Sequence, residues 1–363
     1  MMIMQFWDKK KGMLCYLLGF FLMAACNKNS APAPPPTDTT TTHPVDTTTR
    51  KPVPAGFAKG ADISWLTQME SSGYSFYDST GKKMDCMLLL KNLGLNSIRL
   101  RTWVNPSDGW CNTADLVAKA IRANNLGFKI MIDFHYSDVW ADPGHQTKPA
   151  LWAALDSATL DTVVFNYTRQ VMDTLKTNGV NPAWVQVGNE TNDGMLWENG
   201  RASTNMHQFA SLINAGYRAV KLVSDSAKVI VHISNGFDNS LFRWMFDGLN
   251  ANGAHFDIIA MSLYPSVSNW QTLDAQCLSN MQDMVSRYGK PVMISEVGMP
   301  MNAASDCRSF IADIITKTNS LPNAMGLGVF YWEPESYNWQ GYGLGAFDVN
   351  GKPTLALYGF TDK

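Results

Sequence analysis

The sequence carries no surplus of charge of either sign: 29 basic residues stand against 31 acidic ones, the net charge is −2, and the one basic cluster is Lys9-Lys10-Lys11. A chain so balanced lacks the positive stripe that a phosphate backbone selects, which excludes a nucleic-acid partner. Also missing are the Cys-x-x-Cys pairs and Cys/His clusters of a zinc site, since the six cysteines are scattered singly along the chain. No apolar run reaches the roughly 20 residues of a permanent membrane helix. The stretch from Met13 to Ala25 falls short.

That short run has a different use. Preceded by Lys9-Lys10-Lys11 and ending in Leu22-Met-Ala-Ala-Cys26, it has the layout of an export signal and resembles a bacterial lipoprotein signal, in which the cysteine becomes the lipidated first residue of the mature chain. Residues 1–26 are therefore expected to be a signal, Cys26 the lipid attachment point, and the location the cell envelope, as an outer-membrane lipoprotein. Residues 27–54 are nearly all Pro, Thr, Ala and Asp, with Pro34-Pro-Pro36 and Thr39 to Thr42. No apolar set there can offset the entropy of ordering, so an extended, disordered linker is expected. Residues 55–363 remain as one catalytic domain, expected to be monomeric. Four cysteines fall inside it and allow three pairings; Cys86 with Cys111 and Cys277 with Cys307 are the least demanding in separation.

With 45% hydrophobic and 11% aromatic residues, the domain can fill one large core. From Phe57 on, a short β-rich run followed by a segment of helical spacing recurs eight times. The runs are Phe57 to Ile63, Ser97 to Val104, Lys129 to Ser137, Trp184 to Glu190, Lys228 to Ser234, Asp257 to Pro265, Pro291 to Val297 and Gly326 to Pro334. Between them, helices are expected over Asp85 to Leu93, Thr113 to Asn125, Leu160 to Lys176, Met206 to Val223, Asn239 to Leu249 and Leu273 to Tyr288. This alternation predicts an α/β fold, a (β/α)8 TIM barrel; a doubly wound sheet would need fewer strands.

Such barrels hold their chemistry at the C-terminal ends of the strands. Here those ends supply Asp62, Arg99, Arg101, His135, Glu190, His232, Tyr264, Glu296, Trp332 and Glu333. Two of the strands close on a glutamate, and two carboxyls flanking a bond suit glycoside hydrolysis: one protonates the leaving oxygen, the other attacks the sugar or activates water. A cation such as Arg99 or Arg101, with the Tyr264 hydroxyl, would keep the nearer carboxyl ionised. Arg101 could equally form a salt bridge at the rim. Twelve Trp and twelve Tyr offer flat faces with a polar edge, as sugar rings require. His135 and His232 belong to no set with metal-ligand spacing; each could complete the core or touch substrate.

Several stretches together resemble endo-β-1,4-galactanases of glycoside hydrolase family 53: Gly60-Ala-Asp-Ile-Ser64, Ser97-Ile-Arg-Leu-Arg-Thr-Trp-Val-Asn-Pro106, Asp133-Phe-His-Tyr-Ser-Asp-Val-Trp-Ala-Asp-Pro-Gly144, Val187-Gly-Asn-Glu190 and Val329-Phe-Tyr-Trp-Glu-Pro334. The resemblance implies a retaining cut in β-1,4-galactan, the side chain of type I arabinogalactan and pectin. It implies Glu190 as acid/base and Glu296 as nucleophile, supported by Arg99, Asn189 and Tyr264, with Asp62, Trp140 and Trp332 at positions that contact sugar. His135 is added to the support, and His232 and Glu333 to the substrate-binding set. The segment Ser295-Glu-Val-Gly-Met-Pro300 departs from the Thr and aromatic residues expected around the nucleophile. No cofactor and no metal is expected: bacterial relatives bind calcium in a longer Asp/Asn-rich loop, whereas Gly298 to Asp306 is short and poor in ligands. The other readings are a mannanase or glucanase of the same clan, and an inactive surface glycan-binding protein.

Overall fold

The computed structural model describes residues 56–361, so the signal, Cys26 and the linker lie outside the described residues. Eight parallel strands close into one barrel: β1 (Ala58–Asp62), β2 (Ser97–Thr102), β3 (Lys129–Phe134), β4 (Trp184–Val187), β5 (Lys228–Ile233), β6 (Ile258–Leu263), β7 (Val292–Val297) and β8 (Gly326–Trp332). Each strand pairs with its neighbours in sequence, and β8 returns to β1. Every residue of β2, β6 and β7 is buried, as expected of strands covered on one face by helices and on the other by the barrel's own filling.

The helices of the outer ring are α1 (Leu66–Ser71), α2 (Cys86–Asn92), α3 (Thr113–Asn125), α4 (Ser157–Thr177), α5 (Ala202–Val223), α6 (Asn239–Ala251), α7 (Trp270–Tyr288) and α8 (Ala304–Asn319). Side chains that satisfy the first free N–H groups start several of them: Asp85, Asn112, Asp156 and Asp238 accept from Leu88, Asp115, Thr159 and Leu241. Sequence spacing does not reveal α1, α8 or the small antiparallel ribbon Phe76–Tyr77 with Lys83–Met84. The terminal turn Leu355–Phe360 packs on α8.

Inside the barrel, the side chains are layered. Ala58, Met131, Trp184, Ile230, Ile258, Ala260, Met293 and Phe330 form an apolar plug distinct from the main core between strands and helices. Gly60 makes room for it, because a Cβ there would stand 2.1 Å from the Phe330 ring. Two residues further along four of the strands, on the same face, the plug gives way to polar groups: Met131 is followed by Asp133, Trp184 by Gln186, Ile230 by His232 and Ala260 by Ser262. The site is therefore built on an apolar floor.

The cysteine pairings suggested by separation do not form. Cys86, Cys111, Cys277 and Cys307 are all free, buried thiols. Cys111 Sγ points to the Ser64 carbonyl at 3.5 Å, Cys277 Sγ to Met261 Sδ at 3.7 Å and Cys307 Sγ to the Tyr331 hydroxyl at 3.7 Å, so each is packed into its own inter-element contact.

Candidate active site

At the C-terminal end of the barrel, Arg99 is fully buried and gathers carboxylates from three strands. Its Nη1 donates to Asp62 Oδ2 at 2.7 Å, and its Nη2 lies 2.9 Å from Asp133 Oδ2 and 2.9 Å from Glu296 Oε1. The same guanidinium donates to Asn189 Oδ1 at 2.9 Å and to Gln186 Oε1 at 3.1 Å. Burial would raise the Asp133 carboxyl, but Arg99 and His135 beside it hold it below its usual range.

Two local distortions deliver the glutamates. After Val187 the β4 backbone turns left-handed, with φ of 85° at Gly188 and 42° at Glu190. For a glutamate this is a strained conformation, of a kind that collects at functional sites. The expected strand end at Glu190 is thus shortened: pairing stops at Val187 because the chain must turn to aim the carboxyl inward. On β7, strict alternation from the plug residue Met293 would send Glu296 outward. A bulge intervenes: Met261 faces Ile294, but the next residue, Ser262, faces Glu296. The extra residue reverses the phase and turns Glu296 into the barrel.

Glu296 then has the Arg99 guanidinium 2.9 Å from Oε1 as an ion pair without a hydrogen bond, and the Tyr264 hydroxyl donating to Oε2 at 2.8 Å. Glu190 receives one hydrogen bond, from Ser262 Oγ to Oε1 at 2.7 Å. Burial pushes both carboxyls above the ordinary range, Glu190 to about 7 and Glu296 to about 8, and the charge of Glu190 adds to the rise at Glu296. The donors decide where the proton of the pair resides. Burial alone lifts Glu296 the further of the two; the guanidinium and the phenol work against it and favour the Glu296 anion, a pull that Glu190, with the Ser262 hydroxyl alone, receives less of.

Of the residues expected to touch sugar, the structure leaves Trp140 and Trp332 with exposed surface. They belong to an edge-to-face aromatic group with Trp65, Trp103 and Tyr342, whose ring centroids are 5.0–5.8 Å apart. Asp62, His232 and Glu333 are completely buried and present no surface to a ligand, a correction to their reading as substrate contacts. Asp62 is bonded to Arg99 and Ser64, and His232 Nε2 to Ser262, with Nδ1 facing the Glu190 N–H and Asn189 Oδ1. Glu333 pairs with Arg101, so Arg101 forms the salt bridge. The Arg101 guanidinium is also sandwiched among Trp140 at 4.3 Å, Trp65 at 5.2 Å and Trp103 at 5.2 Å, stiffening the aromatic wall from behind. His135 is buried, its Nε2 2.9 Å from Asp133 Oδ2. Asn189 is held by Arg99, by Gln186 and by donation of its own amide to the Ala141 carbonyl at 2.8 Å. Tyr264, 37% exposed, stands at the edge of the cleft.

Sequence reading passes over Asp133, Gln186 and Ser262. Each is nevertheless the one polar interruption late in an otherwise apolar strand, and that pattern marks an inward side chain at the site's depth.

The family model described as Glycosyl hydrolase family 53 matches residues 58–360. An uncharacterised protein of Niallia circulans is 37% identical over 77% of this chain and 83% of its own length. A probable arabinogalactan endo-β-1,4-galactanase A of Neosartorya fischeri is 35% identical over 76% and 83%. A solved structure of a fungal β-1,4-galactanase superposes with a TM-score of 0.77 at 29% identity, covering 84% of this chain and 98% of that one.

The raised Glu190 carboxyl makes a stability prediction. Folded, it holds its proton to about pH 7, whereas the unfolded group releases it near 4.5. Between these values the unfolded state binds fewer protons, so stability falls as pH rises. Glu190→Gln should escape this loss, gaining about 1–2 kcal/mol over the unsubstituted protein from pH 4.5 to 7.5 in denaturant titrations; a constant difference across that range would refute the neutral acid.

Proposed function

This chain belongs to glycosyl hydrolase family 53, and from that membership we propose that it is an endo-acting, retaining β-1,4-galactanase working on the galactan of type I arabinogalactan. The observation that carries the reading is the asymmetry of the two carboxyls. Glu296 has the Arg99 guanidinium and the Tyr264 hydroxyl beside it, both favouring its anion, while Glu190, at the end of another strand, has only the Ser262 hydroxyl.

In the first step Glu296 attacks the anomeric carbon as Glu190 gives its proton to the leaving glycosidic oxygen, forming a covalent galactosyl enzyme. In the second, the Glu190 carboxylate takes a proton from water, whose oxygen displaces Glu296 and restores the starting configuration. Arg99 spreads the changing charge over Asp62 and Asp133, and Tyr264 can follow Glu296 Oε2 as the ester forms. Trp140 and Trp332 supply flat faces for sugar rings. The substrate class rests on the names of the relatives. A two-glutamate set kept with these donors has no use in a protein that only binds glycan.

We place the enzyme at the cell envelope, anchored through lipidated Cys26 and held off the membrane by the Pro/Thr-rich segment 27–54. The support is the order of Lys9-Lys10-Lys11, the apolar run and the small residues before Cys26.

Incubation with β-1,4-galactan, β-1,4-mannan and carboxymethyl-cellulose should release oligosaccharides from galactan alone, with the β-anomer appearing first in proton NMR. Cleavage of mannan or glucan instead, or no cleavage of galactan by folded protein, would sink the assignment. Glu296→Ala should lower kcat by about 10³-fold or more with KM little changed. In the native host, Cys26→Ser should move the protein from the membrane to the soluble fraction, and unchanged fractionation would remove the anchor.

A further inference from the structure

Ser262 sits on β6, one residue before its end, and is 1% exposed. Its hydroxyl lies between two partners: Glu190 Oε1 at 2.7 Å and His232 Nε2 at 2.8 Å. One hydrogen must serve one of them, and the environment of His232 determines which.

The ring's other nitrogen, Nδ1, faces the backbone N–H of Glu190 at 3.4 Å and Asn189 Oδ1 at 3.1 Å. That oxygen already has a donor in Arg99 Nη2 at 2.9 Å and a second in Gln186 Nε2 at 3.0 Å, whose amide also reaches Asp133 Oδ1 at 2.6 Å, so it needs no proton from the ring. Nδ1 therefore serves as the acceptor for the Glu190 N–H, and the ring proton belongs on Nε2. Burial and the nearby Arg99 keep the imidazole neutral, against the opposing pull of Asp133. Nε2–H then donates to Ser262 Oγ, and the serine hydrogen is left to point at Glu190 Oε1. Thr191 fixes this arrangement across strands, since its backbone N–H and its hydroxyl both donate to the His232 carbonyl, at 2.9 and 3.0 Å.

We propose that Ser262, aimed by His232, is a positioning residue for the acid/base carboxyl: its hydroxyl occupies Glu190 Oε1 as a donor, so the catalytic proton is confined to Oε2, the oxygen facing the cleft. No described residue donates to Oε2, and Glu190 is half-exposed, which leaves that oxygen to the substrate. A carboxylic acid free to carry its proton on either oxygen would spend part of its time with the proton turned into the protein. The chain from Glu190 N–H through His232 and Ser262 back to Glu190 Oε1 closes a ring that admits one orientation. This deepens the assignment of Glu190 as acid/base and rests on it.

The other charged groups around the ring are Arg99, Asp133 and His135 near His232, and Arg99, Asp133, Asp142 and Glu296 near Glu190; Ser262→Ala leaves all of them in place. The substitution removes the one donor to the Glu190 anion. Its carboxyl should then titrate higher by about one pH unit, read by carbon NMR of labelled glutamate and independent of any activity. The basic limb of kcat/KM should move upward with it. For galactan, kcat should fall about tenfold with KM unchanged, while an aryl galactobioside whose nitrophenolate leaves without a proton should form its covalent intermediate at nearly the normal rate. A Glu190 midpoint that stays put or falls would overturn the proposal, as would equal losses on both substrates. Should Ser262→Ala not fold, nitrogen NMR of histidine-labelled, unsubstituted protein decides. The neutral Nε2–H form of His232 across the working pH range supports the ring, and the Nδ1–H form or an imidazolium refutes it. If the unsubstituted protein leaves galactan intact, the substrate reading fails, while the two NMR measurements still judge the ring.

Discussion

One buried cation organises this molecule. Arg99 has no exposed surface, and a guanidinium taken out of water is tolerable only among groups that replace its hydration. Asp62, Asp133 and Glu296 do so, each within 2.9 Å, from three different strands. The account in charges is lopsided: one cation faces three carboxylates, and a fourth, Glu190, stands close enough to feel Asp133. A further negative charge there would be repelled by the others in a medium with little water to screen it. Burial does most to raise the Glu190 carboxyl, and the negative charges of Asp142 and Asp133 add to it; the proposed division of labour between acid and nucleophile rests on the contacts Glu296 makes with Arg99 and Tyr264.

That arrangement depends on backbone events as much as on side chains. On four strands the barrel repeats one rule, apolar plug below and polar group two residues above, and it supplies Asp133, Gln186, His232 and Ser262. Glu296 and Glu190 both break the rule. The bulge in β7 reverses the phase of the strand to turn Glu296 inward, and the left-handed turn after β4 brings Glu190 over the rim. Both glutamates proposed to do the chemistry depart from regular strand geometry, as Tyr136 and Glu333 do past the ends of β3 and β8, and the regular strands around them hold those departures in place.

Much of this was legible in the sequence. Apolar runs alternating with helical spacing identified the barrel and its strands, and α3 falls where its spacing places it, Thr113–Asn125, because Asn112 and the turn Leu126-Gly127 mark both ends. Depth was not legible. Asp62, His232 and Glu333 stand near strand ends, which tells which rim they occupy but not that each is sealed behind the site by a partner from a distant part of the chain. Ser262 was passed over for the opposite reason, being a small polar residue inside an apolar strand whose partners, Glu190 and His232, come from other strands. α8 escaped notice since no side chain caps its start and its apolar face, Phe310, Ile311, Ile314 and Ile315, follows a short turn that reads as loop. The cysteines misled for a related reason: separation along the chain says nothing about which thiols are buried in separate contacts.

The central claim is that Arg99 and Tyr264 hold Glu296 as the anion that attacks the sugar. Inactivation by a 2-deoxy-2-fluoro galactobiosyl fluoride, followed by proteolysis and mass spectrometry, tests it most directly. The account predicts one covalent galactobiosyl adduct, on Glu296, that forms with the loss of activity. An adduct on Glu190, or inactivation with no covalent sugar on either glutamate, would contradict it.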